Sequence, residues 1–260
     1  MSSSPASLSW AVTDAIAMTR RNLVRYVRVP NLLVFSTIQP VMFVLLFTYV
    51  FGGAVRIPSG SYKDFLLPGI LVQTVIFGST QTGVGLADDL SRGMIDRFRS
   101  LPMARSAVLA GRTLSDTVRN LFVVLLMIGV GLLIGFRFHA GFISAVGAIV
   151  LAVLFGLAFS WISAFIGMAV RDVESAQTAG FIWIFPLVFA SAVFVPVATM
   201  PGWLQGFAKA QPITAVTNAV RPLMIGGPVG HPLIAALGWI VVLLVVFVPV
   251  SARQYERVTT

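Results

Sequence analysis

Six stretches of about twenty mostly apolar residues, at about 32 to 52, 66 to 86, 118 to 136, 143 to 169, 177 to 198 and 232 to 251, dominate this sequence. A helix needs about 20 such residues to cross the roughly 30 Å hydrocarbon layer, and inside that layer its backbone N–H and C=O groups must pair with one another because no water is there. The chain is therefore predicted to be an all-α integral membrane protein with six transmembrane helices. Hydrophobic residues make up 57% of the 260 and charged residues 10%, with a mean hydropathy of +0.93, too few charges to cover a water-soluble domain. The second stretch differs from the rest. Gln73, Thr74, Ser79, Thr80, Gln81 and Thr82 dilute it and Gly78, Gly83 and Gly85 loosen it, which suits a helix facing other helices and hydrogen-bonding across a bundle.

The net charge of +9 does not mark a nucleic-acid binder, because the basic residues stand at the ends of apolar stretches and not on a compact polar domain. Thirteen of the eighteen Lys and Arg residues fall on the side shared by both termini: Arg20, Arg21, Arg25, Arg28, Arg92, Arg97, Arg99, Arg105, Arg112, Arg119, Arg171, Arg253 and Arg257. The other side receives Arg56, Lys63, Arg137, Lys209 and Arg221. Cytoplasmic loops carry the excess of basic residues, so both termini are expected in the cytoplasm. The start of the chain is too polar for a secretory signal and is read as retained. Residues 8 to 28 form an amphipathic pattern, with Leu8, Val12, Ile16, Leu23 and Val27 on one side and Asp14, Arg21, Arg25 and Arg28 opposite. An interfacial helix along the inner membrane face is expected, although Trp10 falls on the polar side and an ordinary solvated helix would share the pattern.

With Arg119 counted to the loop edge, none of the six stretches contains Asp, Glu, Lys, Arg or His. A proton relay built on buried ionisable groups is then unexpected, while sodium coupling through hydroxyls and carbonyls stays open. Intramembrane hydrolysis lacks a base or a metal-ligand cluster: there is no cysteine, and His139 and His231 sit in loops without a nearby carboxylate. A phosphate-binding loop is missing too, since Lys63 and Lys209 follow Tyr62 and Ala208 and not the glycine of GxxxxGK. If this chain drives transport, its energy comes from another subunit.

The patch DDLSRGMIDRFRSLPMARS, residues 88 to 106, lies between long apolar stretches. On a helical wheel Leu86, Leu90, Met94, Phe98 and Leu101 share one face, and Asp88, Asp89, Arg92, Asp96 and Arg99 the other. Pro102 ends the pattern. A loop whose arginines only set topology is one reading. The apolar stripe among alternating charges favours a docking surface for a partner, where charges set register and apolar residues supply contact.

The run RGMIDRFRSLPMARSAVLAGRTLSD, preceded by DDLS, resembles the first cytoplasmic loop of ABC type-2 transporter permeases, particularly the daunorubicin-resistance branch of multidrug exporters. Arg92, Gly93, Asp96, Arg97, Phe98, Arg99, Leu101, Pro102, Arg105, Gly111 and Asp116 carry that likeness. It extends to the late segment PGWLQGFAKAQPITAVTNAVRPL, in which Pro201, Trp203, Gln211, Pro212, Thr214, Ala219 and Arg221 match. The resemblance implies a permease without a cofactor of its own, with ATP and Mg on a separate cytoplasmic ATPase subunit. It also implies a second permease copy or close relative, in a bacterial plasma membrane. Asp88, Asp89, Arg92, Gly93, Asp96, Arg97, Phe98, Arg99, Leu101 and Pro102 would form the ATPase-coupling helix. Arg171, Asp172 and Glu174 could make a second ATPase contact, or simply flank a helix end. Pro201, Trp203, Pro212 and Arg221 would belong to an external gate. Many relatives carry Glu before the coupling-loop glycine, whereas here Ser91 and Arg92 precede Gly93.

The resulting division is an N-terminal amphipathic helix over 1–30, a transmembrane domain over 31–252 with a coupling loop at 87–117 and an external re-entrant segment at 199–231, and a cytoplasmic tail over 253–260. The function expected is export of a hydrophobic or amphipathic drug or antibiotic. Lipid or glycan export within the same family, an ion-coupled secondary transporter and a membrane scaffold are the alternatives. Pro186 and Pro196 are expected to bend the fifth stretch, and Trp183, Trp203 and Trp239 to serve as packing residues or interfacial anchors.

Overall fold

A computed structural model describes residues 8–28, 30–53, 61–94 and 105–259. Among these, the chain is helical without strands. α1 (Leu8–Arg28) is followed by α2 (Pro30–Leu46), which runs on through a wider turn at Phe47–Phe51. Then come α3 (Tyr62–Ser91), α4 (Arg105–Ile134), α5 (Phe142–Val170), α6 (Val173–Phe189), α7 (Gly202–Ala210), α8 (Pro212–Ile225) and α9 (Gly230–Thr259). Among the described residues, four helices are long and apolar enough to cross a membrane: Tyr62–Ser91, Val108–Ile134, Phe142–Val170 and Gly230–Val258. Two shorter apolar helices, Ser36–Phe51 and Val173–Phe189, answer to the first and fifth stretches.

The diluted second stretch occupies the centre. In α3, 78% of the most apolar window is buried inside the protein, against 17% in α9, whose valine-rich surface faces outward. Small residues allow this position: Gly83 and Gly167 bring the backbones of α3 and α5 together so closely that a Cβ on either glycine would fall onto the other helix. Its hydroxyls divide: Thr82 bonds across the bundle as expected, donating to Asp116 of α4 at 2.7 Å, and Ser79 Oγ lies 3.5 Å from Ser163 Oγ of α5, whereas others turn back on their own helix. Thr74 donates to Ile70 O at 2.7 Å, Ser79 to Ile76 O at 2.6 Å and Thr80 to Phe77 O at 2.7 Å, each within its own helix.

The two ends of the bundle differ. At one, here the near end, Met18 of α1, Leu86 of α3, Leu109 of α4, Met168 of α5 and Tyr255 of α9 pack together. The expected tail at 253–260 is thus, up to Thr259, the last part of α9, with Tyr255 buried. α1 lies against α4 through Ala15 and Met18, which are buried beside Gly111, while Ile16 of the predicted apolar stripe is 62% exposed.

At the far end the fifth stretch stops being helical at Phe189, nine residues short of the expected 198. Pro186 lacks the N–H that would bond Ile182 O, and Ala190 closes the helix on Pro186 O at 2.9 Å. The freed backbone is satisfied from α8. The Gln211 amide donates to Ala190 O, Thr214 Oγ1 accepts the Ala192 N–H at 3.1 Å, and Arg221 donates to Ala192 O at 2.8 Å.

A charge cluster and the cavity beside it

The near end holds the charged residues that the apolar pattern hides. α4 carries Arg112, Asp116 and Arg119 at helical spacing, and all three are buried. Asp116 is fully enclosed. Its carboxylate accepts the Tyr26 hydroxyl at 2.5 Å and the Thr82 hydroxyl at 2.7 Å, with Arg112 Nε at 3.5 Å and Arg119 Nη2 at 4.0 Å. Arg112 also approaches Asp89 at 3.7 Å and Gln81 O at 3.4 Å, and Arg119 donates to Gly78 O at 2.5 Å. Three helices, α1, α3 and α4, are therefore tied at one carboxylate. A buried guanidinium needs this compensation, because an unpaired charge in a low-dielectric interior is expensive. The glycines of α3 supply the room: a Cβ on Gly85 would strike the Arg112 guanidinium, and one on Gly78 the Asn120 amide. Tyr26 is partly buried on α1, where burial first and the Asp116 carboxylate second push its pKa up to about 12.

Beside the cluster opens a cavity of about 440 Å³ with walls from α1, α2, α3, α4 and α6. Its lining includes Arg112, Arg119 and Asn120 of α4, Gln73 and Phe77 of α3 and Phe181 of α6. From Phe181 a row of phenylalanines leads toward the far end. Phe181 to Phe185, Phe185 to Phe189, Phe189 to Phe194 and Phe194 to Phe47 have centroid separations of 5.6, 5.4, 5.0 and 4.5 Å. Spacing of four along α6 produces the first two steps. This arrangement can hold a molecule with a flat apolar body and a polar edge, with rings for the body and amide and guanidinium donors for the edge.

Of the ten expected coupling residues, Asp88, Asp89, Arg92 and Gly93 are described, and Asp96, Arg97, Phe98, Arg99, Leu101 and Pro102 lie outside the described residues. The single amphipathic helix expected over 86–101 is interrupted: α3 runs to Ser91, and Arg92–Gly93 form a turn with Gly93 at φ 63°. Asp88 and Arg92, from the charged face of the wheel, pair at i,i+4 and 2.7 Å, with the Arg92 side chain 68% exposed. Asp89 was expected on the outward charged face and instead turns inward to Arg112, only 8% exposed. The continuation of a membrane-crossing helix fixes its direction, so Leu86 and Asp89 both face the bundle.

Arg171, Asp172 and Glu174 are exposed. Arg171 closes α5 in the left-handed region at φ 60°, and Asp172 caps α6 by accepting the Ser175 N–H at 2.8 Å. That hydrogen bond holds the Asp172 carboxyl below its ordinary range. In the far-end segment Pro201 precedes α7, Trp203 is 80% exposed and Pro212 opens α8. Arg221 stacks on Phe65 at 3.7 Å and donates to Phe65 O at 3.1 Å, so it joins α8, α3 and the turn after α6.

From the sequence, Arg112 and Arg119 count only as topology charges, and Asp116 enters only within a resemblance. Tyr26 goes unmarked, and Gln73 and Asn120 receive no role in holding cargo. The spacing 112, 116, 119 on a helix entering an apolar stretch is the signal that could have found the cluster, since charges on one helical face this close to a span must either reach water or pair.

These features define a multi-pass helical membrane protein with a partly polar cavity among its helices. The family model for the ABC-2 type transporter matches residues 13–225, and the chain belongs to that family. The chain is 36% identical over 251 residues to "Daunorubicin resistance ABC transporter permease protein DrrB1" of Streptomyces coeruleorubidus, covering 95% of this chain and 87% of that one. It is 30% identical over 258 residues to "Probable doxorubicin resistance ABC transporter permease protein DrrC" of Mycobacterium tuberculosis, 96% and 90% of the two chains. A more distant relative is "Putative transport permease ycf38" of Cyanophora paradoxa, 24% identical over 223 residues, 84% and 77% of the two chains. The resemblance carried by the 88–116 run and the 201–223 segment is thereby borne out, and the chain is a transporter permease of the ABC class with relatives named for drug resistance.

Proposed function

We propose that this chain is the membrane-spanning subunit of an exporter that carries an amphipathic drug or antibiotic out of a bacterial cell, driven by ATP hydrolysed with Mg on a separate cytoplasmic subunit. The observation that carries the reading is the cavity at the near end, whose lining joins polar and charged side chains with the rings of Phe77 and Phe181, in a chain 36% identical to a daunorubicin-resistance permease. In this proposal the chain crosses the membrane six times, with α2 and α6 completing the four long helices. Both termini lie in the cytoplasm, as the thirteen basic residues of that side favour. α1 rests on the inner face with Ile16 toward lipid, and the segment at 199–231 dips into the outer leaflet.

The permease pairs with a second copy or a close relative, and each copy receives one ATPase subunit. Contact is made by the loop at 87–117, with Asp88, Arg92 and Gly93 at its start and Asp96, Arg97, Phe98, Arg99, Leu101 and Pro102 beyond; Arg171, Asp172 and Glu174 form a smaller contact nearby. Closure of the ATPases on ATP pushes this loop. Because α3 and α4 are its two arms and are cross-linked at Asp116, the push moves them together and the cavity passes from inward to outward opening. Cargo would leave along the phenylalanine row past the gate formed by Pro201, Trp203, Pro212 and Arg221.

The test is reconstitution in vesicles with the ATPase subunit and doxorubicin as cargo. Uphill accumulation that requires ATP and both subunits is expected. Accumulation by the permease alone under a sodium gradient refutes the reading in favour of a secondary transporter.

A further inference from the structure

The turn joining α5 to α6 has only two residues, Arg171 and Asp172. To reverse the chain that quickly, position 171 lies in the left-handed region at φ 60° and ψ 3°, and position 172 is extended. Glycine ends a helix in this way without a steric penalty, whereas a Cβ at such a position crowds the following carbonyl. Among the described residues five glycines take a positive φ, Gly93, Gly135, Gly141, Gly226 and Gly227, and Arg171 is the one non-glycine residue that does. Backbone strain held at a single exposed arginine points to a use for its side chain.

The chain itself supplies no such use among the described residues, where the exposed guanidinium makes no hydrogen bond, ion pair or ring contact. Asp172 beside it is occupied in capping α6 through the Ser175 N–H. Attraction to the carbonyl end of α5 does not require this position either, since Ala169 and Val170 are exposed in ordinary helical geometry and could carry a cation close to the same end. Gly83 and Gly167 touch, and α3 and α5 run in the same direction from that contact, so Arg171 lies at about the level of Asp88, where the loop at 87–117 begins. Val173 and the Asp88–Arg92 pair line the same cavity.

We propose that Arg171 is an anchor for a carboxylate on the cytoplasmic ATPase subunit, met when that subunit seats on the loop at 87–117. The inference rests on the exporter reading and adds to it one residue and the charge it recognises. A guanidinium presents its donors in a planar fork that matches a carboxylate. An anionic bilayer is a poorer partner, because Asp172 and Glu174 stand exposed beside Arg171 and would repel the headgroups. An acidic side chain on a protein surface can be placed to meet the arginine alone. The two-residue turn, fixed by a helix on either side, holds that arginine in one place.

The test measures binding of the purified ATPase subunit to the full-length permease in lipid nanodiscs, with two substitutions that both remove the charge. Arg171→Gln keeps a side chain in the left-handed position, whereas Arg171→Gly relieves it. Both should weaken binding about tenfold, the share of one charge-assisted hydrogen-bonded pair, while Arg253→Gln, at an exposed arginine of α9 on the same end, should change it less than about twofold. Without the ATPase, R171G should melt about 2–4 °C above R171Q. Unchanged binding in R171Q, or an equal loss in R253Q, overturns the anchor. An R171Q protein that melts as high as R171G removes the strain behind the proposal and overturns it as well. If R171Q binds the ATPase normally and loses stability only in phosphatidylglycerol discs, Arg171 meets lipid headgroups, and the anchor falls while the exporter reading stands. If the wild-type permease does not bind the ATPase at all, both fall.

Discussion

Replacing Asp116 by Asn keeps the shape of the side chain and removes the charge on which the near end closes. The carboxylate takes hydrogen bonds from Tyr26 and Thr82 and balances Arg112 and Arg119, whereas an amide offers one oxygen and turns an N–H₂ toward one of the former donors. Arg112 would keep only Asp89 at 3.7 Å and Gln81 O at 3.4 Å, and Arg119 would keep the Gly78 carbonyl. Breaking a buried ion pair by removing one partner costs about 3–5 kcal/mol. For a chain of this size that corresponds to a melting temperature lowered by about 6–20 °C. The control is Arg92→Gln, which breaks an ion pair whose arginine is 68% exposed and should cost about 0–1 kcal/mol. Thermal unfolding of the purified permease in detergent measures both. The chain has no cysteine, so Ala15→Cys at a buried position places a single thiol that also reports whether α1 lifts from α4. In that background D116N should expose the thiol to a modifying reagent well below the temperature of global unfolding. A D116N protein no less stable than R92Q, with the thiol at position 15 still protected, would refute the claim that this carboxylate holds the three helices.

Gly167→Ala places a methyl on the Gly83 backbone and should separate α3 from α5, costing about 1–3 kcal/mol in the same melting assay, while Gly129→Ala, with nothing within 4 Å, should be neutral or slightly stabilising. Arg221→Lys loses the stacked fork on Phe65 and at least one of the two carbonyl contacts; a thiol introduced by Gln205→Cys should become more reactive if α7 and α8 loosen, and unchanged reactivity would deny Arg221 a latching role. The phenol of Tyr26 is raised from 10.0 to about 12, so its contribution to α1 docking is fully present below pH 10 and is lost as pH rises through 12; protection of the thiol in the Ala15→Cys protein should fall across that window, and with Tyr26→Phe added the fall should be absent. Phe98→Ala with Leu101→Ala should abolish drug-stimulated ATPase activity in the reconstituted complex while leaving membrane insertion intact, and full retained stimulation would remove these residues from the coupling surface.

Hydrophobicity and spacing alone were enough to recognise a membrane protein, because the requirement for about twenty apolar residues per crossing acts on each stretch separately. The same reasoning put α3 inside the bundle, since its glycines and hydroxylated residues read as a helix that approaches others closely, and it set Asp88 and Arg92 on one charged face. The family resemblance was legible in the 88–116 run and the 201–223 segment, where proline, glycine and charges stand in a distinctive order.

What tertiary structure alone decided is which residues meet. The Tyr26 hydroxyl and the Asp116 carboxylate are 90 positions apart, and Arg221 and the Phe65 carbonyl are 156 apart. Such pairings depend on how several helices rotate about their axes at once, a property no single stretch contains. That is why Asp89 turned inward against the wheel's expectation, why three charges near a span became one cluster around a shared carboxylate, and why Pro186 ended a helix that hydropathy carried on to residue 198. For Asp89 and the cluster the cost of leaving a buried polar group alone outweighed the local pattern, and the partner came from another helix; for Pro186 the missing N–H was local, and distant side chains satisfied the backbone it freed.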